Sequence, residues 1–120
     1  MTTTVIAPPT IEQVCALAAF ATARVRETTD ALKRRIPELA EGAEKSADAA
    51  LILRVPEALT LAIGYYEKTL LQQLEWPDGN PGILRQAWDD MLGLCAGWRD
   101  HPELPDDLRE PLATAKPLEP

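Results

Sequence analysis

The residues best spaced for chemistry in this 120-residue chain are carboxylates. Glu38, Glu41 and Glu44 recur at every third position with Asp48 beyond, and Glu27 and Asp30 stand across from them if the chain between turns back as a hairpin. Two helices that present acidic groups in this way can hold a Mg²⁺ ion, because a hard cation takes oxygen ligands and can then activate water or neutralise a phosphate. The helical wheel decides where the groups point. Glu41, Glu44 and Asp48 fall opposite Leu39, Ala43 and Ala50, and Glu27 and Asp30 fall opposite Val25 and Leu32. Both sets therefore face away from the cores of their own helices, as a solvated face does.

Other reactive groups are few. His101 is the only histidine, and without a Glu-x-x-His pair or a Cys-x-x-Cys neither a zinc nor a di-iron site is expected. The single serine, Ser46, and the cysteines Cys15 and Cys95 have no other imidazole to serve as base. No strand is predicted, so no glycine-rich phosphate loop follows one. No cofactor is expected. The carboxylate spacing resembles that of the all-α nucleotide pyrophosphohydrolases, and metal-dependent nucleotide hydrolysis by Glu38, Glu41, Glu44 and Asp48 is the alternative to a binding role.

Binding is the leading expectation, and Phe20 carries it. The wheel puts this only phenylalanine on the outward side of its helix, with Ala16, Leu17, Ala23, Arg24 and Glu27 around it. A large ring exposed there suits a contact with another protein or a second copy. The small alanines would let two such helices approach, and Arg24 could reach Glu27 of the partner. The other reading covers Phe20 within the chain, by Val5 and Ile6 of the N-terminal arm or by the tail.

The elements that must position these residues are helices. Residues 1–9 read as a flexible arm, residues 10–113 as a single domain and residues 114–120 as a flexible tail. Thr10 and Gln13 form a capping box for a first helix reaching about Ile36, whose core stripe runs through Ile11, Val14, Cys15, Ala18, Ala21, Thr22, Val25, Thr29 and Leu32. Pro37 suits the first turn of a second helix, and Pro56 either kinks that helix into the next or separates the two.

From Pro56 to Trp76 a main apolar face of Leu59, Ala62, Ile63, Tyr66, Leu70 and Leu74 is joined by a second face of Leu61 and Tyr65. A helix so widely apolar is expected at the centre of the bundle, between other helices. Asn80 and Pro81 open a further amphipathic helix to about Arg99, and Pro105 to Ala113 makes a short acidic one. The fold class is all-α, a small up-down bundle of three to four helices. Cys15 and Cys95 both fall on apolar helix faces and are expected buried and reduced.

Charge and hydropathy narrow the function further. The net charge of −7 is uneven: residues 1–37 carry five basic and three acidic side chains, residues 38–76 three and seven, and residues 77–120 four and nine. Such a surface repels phosphate, so neither nucleic acid nor an anionic membrane is expected as a partner. No apolar run reaches the roughly 18 residues that a membrane span needs, and the cytoplasm is the expected compartment.

The stretch Leu84-Arg85-Gln86-Ala87-Trp88, running on to Trp98-Arg99-Asp100-His101-Pro102, resembles short helical proteins of actinobacteria. That likeness implies a bacterial source and no site residues. The expected function is that of a small acidic helical interaction factor, accessory, regulatory or inhibitory, acting through a helix face.

Overall fold

The computed structural model describes residues 8–36, 47–76 and 78–115. These form an all-α fold of four helices: α1 (Ile11–Arg35), α2 (Ala47–Glu75), α3 (Pro81–Cys95) and α4 (Asp106–Ala113), with a 3₁₀ turn, Ala96–Trp98, closing α3. Local signals set most of the boundaries. The Thr10 hydroxyl accepts the Gln13 N–H at 3.1 Å and the Gln13 side chain accepts the Thr10 N–H at 3.0 Å, so the capping box forms. Lys33, Arg34 and Arg35 sit in the last turn of α1, at the negative end of its dipole. The Asn80 side chain caps α3 by accepting from Gly82 and Ile83, with Pro81 in the first turn.

The expected start of a second helix at Pro37 lies outside the described residues. Pro56 does not separate two helices, because α2 continues through it. Proline removes the bond that an N–H at position 56 would make to the Ile52 carbonyl. The Thr60 hydroxyl donates to the Pro56 carbonyl at 2.9 Å, and the ring is buried.

α2 packs between α1 and α3, and α4 lies against α1 and α3. The main core takes Val14, Leu17, Ala21 and Val25 from α1, Ile63 and Leu70 from α2, Trp88, Met91 and Cys95 from α3, and Leu104, Leu108 and Leu112 from the C-terminal segment. The helices differ in length. At about 1.5 Å per residue, α3 extends about 22 Å and α2 about 44 Å. α3 runs back from the C-terminal end of α2, so among the described residues the N-terminal part of α2 has only α1 beside it. There Ala49 and Leu53 form a second, smaller cluster with Leu32 and Ile36.

The buried face of α1 differs from the expected stripe. Ile11 and Cys15 are exposed, while Leu17, Phe20 and Arg24 are buried. The wheel treats a helix alone, and what covers this side is the chain returning after α3. Likewise α2 is flanked as expected on its main face, but Leu61 and Tyr65 face away from the core and remain exposed.

One glycine is required by close approach. A Cβ on Gly79 would collide with the backbone carbonyl of Gln73, in the turn where the Gln73 side chain accepts the Asn80 N–H at 2.7 Å. Gly64, mid-helix in α2, has nothing within 4 Å of where its Cβ would be. Gly79→Ala should therefore lose about 1–3 kcal/mol to overpacking. Gly64→Ala should gain about 0.5–1 kcal/mol from helix propensity. Urea denaturation of both variants checks the opposite signs.

Candidate interaction surface

Arg24 organises one face of the molecule. It projects from α1 with 5% of its side chain exposed, and its Nη2 lies 2.8 Å from Glu103 Oε2 and 3.0 Å from Glu27 Oε1. Its Nη1 lies 2.9 and 2.6 Å from the two ring nitrogens of His101. The guanidinium stands 4.9 Å over the Phe20 ring, which in turn meets Trp98 and His101 edge-on at 6.4 and 5.5 Å. Its Nε is buried with no hydrogen-bond partner. Two partly solvated carboxylates and an aromatic face thus offset the cost of burying one cation.

This cluster closes the face on which the interface is expected. Phe20 is 7% exposed and Leu17 fully buried, both against the chain's own core. Ala16 and Ala23 are half-buried, and Glu27, which was to receive Arg24 from a second copy, receives it from its own chain. Phe20 therefore offers no open patch for self-association. Phe20 is covered within the chain, but by Trp98 and His101; Val5 and Ile6 of the arm, expected as its cover, and most of the tail lie outside the described residues. The wheel missed this because the covering residues lie some eighty positions away in sequence, roughly the span of two helices and a turn.

The carboxylates do not assemble a metal site among the described residues. Glu38, Glu41 and Glu44 lie outside them, and Asp48, in the first turn of α2, is exposed. Glu27, His101 and Glu103 bring ligand atoms within 4.8 Å of one another. The Arg24 guanidinium already bonds to all three, supplying the positive charge that an ion would bring.

The surface left open is a flank of α2. Of the eight exposed large hydrophobic residues among those described, six lie from Leu51 to Trp76: Leu51, Ile52, Val55, Leu61, Tyr65 and Trp76. Leu61 is 76% exposed and Tyr65 67%. Beside the flank, a groove of about 310 Å³ opens where α3 has ended and α1 and α2 continue, with Trp98 at its head. Val25 and Leu32 form one wall and Ile52, Val55 and Leu59 the other, and among the described residues Thr28 is the one polar side chain in its lining.

Asp48–Glu75 also corrects the hydropathy reading. It is long and apolar enough to cross a membrane by length and composition, at a mean hydropathy of 1.2, and 17% of the window that qualifies is buried within the chain. Arg54 and Glu57 interrupt the run and leave it apolar on average.

The cysteines separate by environment. Cys95 is buried and burial pushes its thiol up to about 12, whereas Cys15 is exposed. In the native protein one thiol, Cys15, should react with a disulfide reagent at neutral pH, and the second only after unfolding. Cys15→Ser should leave none reactive until denaturant is added.

Glu103 gives a second measurable consequence. Hydrogen bonding and charge attraction from Arg24, with a smaller effect of His101, hold its carboxyl below the usual value of 4.5. A carboxylate lowered on folding contributes stability that is complete above its unfolded pKa and disappears as the pH falls through the lower folded value. Denaturant midpoints of wild type and Glu103→Gln should therefore differ at neutral pH and converge below pH 4.5. Comparison with known proteins finds no matching family model, no matching curated protein and no matching solved structure.

Proposed function

We propose that the protein is a small acidic helical interaction factor, accessory, regulatory or inhibitory, that engages a protein partner through the open flank of α2. One observation carries this reading: the exposed large apolar residues concentrate on a single helix instead of scattering over the surface. Isolated exposed hydrophobics are ordinary, but a contiguous patch rimmed by polar residues favours a contact.

The chemistry of the patch supports binding over catalysis. The groove beside it brings no titratable side chain to one point. The cluster that does bring them together, around Arg24, is closed by its own ion pairs. A helix laid along α2 would find an apolar seam bordered on one side by Arg54 and Glu57, the helix-in-groove mode of recognition. The acidic balance elsewhere disfavours acidic partners through long-range repulsion.

A photo-crosslinking residue placed at Leu61 tests this in cells of the source organism, with the same residue at the exposed Glu110 of α4 as control. Discrete adducts from position 61 and none from position 110 are expected. No adduct at 61, or equal diffuse labelling at both, would contradict the reading.

A further inference from the structure

We propose that the occupant of the α2 flank is the same flank of a second copy, packed antiparallel about a two-fold axis beside Ala58. This rests on reading the flank as an interaction face and names what covers it.

The flank is self-complementary in a way that a surface for an unrelated partner need not be. Val55 and Leu61 stand three residues before and after Ala58, and Leu51 and Tyr65 seven before and after it. All five are exposed. When a second copy is turned end for end about Ala58, Leu51 of one chain shares a level of the seam with Tyr65 of the other. Val55 then shares a level with Leu61, and the small Ala58 meets Ala58, letting the backbones close. A two-fold interface needs this property, since residue i must suit residue j in both directions. The series Leu51, Val55, Ala58, Ala62, Tyr65 also steps by four and three alternately, the spacing of a two-helix seam.

Charge and exposure agree with that partner. Between Ala49 and Tyr66 the only charged residues are Arg54 and Glu57, and neither makes an ion pair with a described residue. They lie on the same side of the seam, so the two-fold puts the arginine of one copy on the side that carries the glutamate of the other. A parallel pair would instead bring Arg54 level with Arg54. Leu51, Val55, Leu61 and Tyr65 are between 60% and 76% exposed, so the apolar core of such an interface is open, and the polar residues beside it would form the rim. A lipid surface fits less well, because insertion of the flank would carry Arg54 and Glu57 towards the apolar layer and bring an acidic protein to anionic headgroups.

The contact also supplies what α2 lacks among the described residues of its own chain. The helix is apolar on two faces, and α1 and α3 cover one of them. A second α2 would cover the other.

Sedimentation velocity of the full chain over a wide concentration range, together with directed cysteine pairing, tests the proposal. Wild type should pass from monomer to dimer as concentration rises through the micromolar range, and Leu61→Asp should remain monomeric with unchanged helicity. Tyr65→Lys serves if Leu61→Asp does not fold. In a Cys15→Ser background, where Cys95 is buried, Ala58→Cys should form an intermolecular disulfide. Helices about 9–10 Å apart with Cα atoms about 2.3 Å from their axes bring facing Cα atoms to about 4.4–5.4 Å, within disulfide range. Leu51→Cys alone should not pair, since antiparallel helices hold the two copies of residue 51 about 21 Å apart along the axis. Leu51→Cys mixed with Tyr65→Cys should.

A wild type that stays monomeric at hundreds of micromolar overturns the proposal, as does self-pairing of Leu51→Cys, the mark of a parallel seam. If the monomer persists while position 61 crosslinks to a chain of different mass, or binds neutral phosphatidylcholine vesicles, the second copy is wrong and the flank is still a contact surface. If Leu61→Asp and Tyr65→Lys both unfold the monomer, the flank is packed internally and the interaction reading itself falls.

Discussion

The constraint on which the structure depends is a mismatch in helix length. α2 has 29 residues and α3 only 15, so among the described residues a three-helix core is built along one part of α2 and not along the rest. Where all three helices are present, Ile63, Leu70, Trp88 and Met91 are buried. Beyond the end of α3, the α1 and α2 pair continues with a few contacts, Leu32 and Ile36 against Ala49 and Leu53. Two helices cannot enclose a core, and the apolar groove headed by Trp98 is the space left by the third. Groove and flank meet at Ile52 and Val55, so the same shortage of helix accounts for both.

The C-terminal segment solves a similar problem on α1. Leu104, Leu108 and Leu112 bring apolar cover to its N-terminal part, and the Gln13 side chain donates to the Asp107 carbonyl at 3.1 Å. The Arg24 cluster fixes how the loop between the 3₁₀ turn and α4 lies on that helix. Burying a guanidinium costs about as much as its ion pairs return, so the main contribution is geometric: one position satisfies Glu27, Glu103 and His101 together. That contact also places Trp98 over Phe20, and so sets the wall at which the groove begins.

Features governed by neighbours in sequence were legible. The Thr10–Gln13 box, the Asn80–Pro81 start and the basic last turn of α1 all follow from interactions within four residues, and each forms. Features governed by distant neighbours were not. Phe20 and Leu17 lie on the outward side of an isolated wheel, and only the return of residues 98–112 across α1 buries them. Arg24 has the composition of a rim residue, and nothing local marks it as buried. Cys15 shows the converse, an apolar-stripe position that no element comes back to cover. The second apolar face of α2 was visible in Leu61 and Tyr65, but periodicity reports that a face is apolar without saying whether its cover lies in the same chain.

Hydrogen exchange along α2, followed by mass spectrometry at low and high protein concentration, tests the central claim most directly. If α2 is packed along one part and open along the other, amides of residues 63–74 should exchange slowly at both concentrations. Those of residues 49–61 should exchange faster in dilute solution and slow as concentration rises. Uniform slow exchange along the whole helix in dilute solution would contradict it, because the N-terminal part of α2 would then already be covered within a single chain.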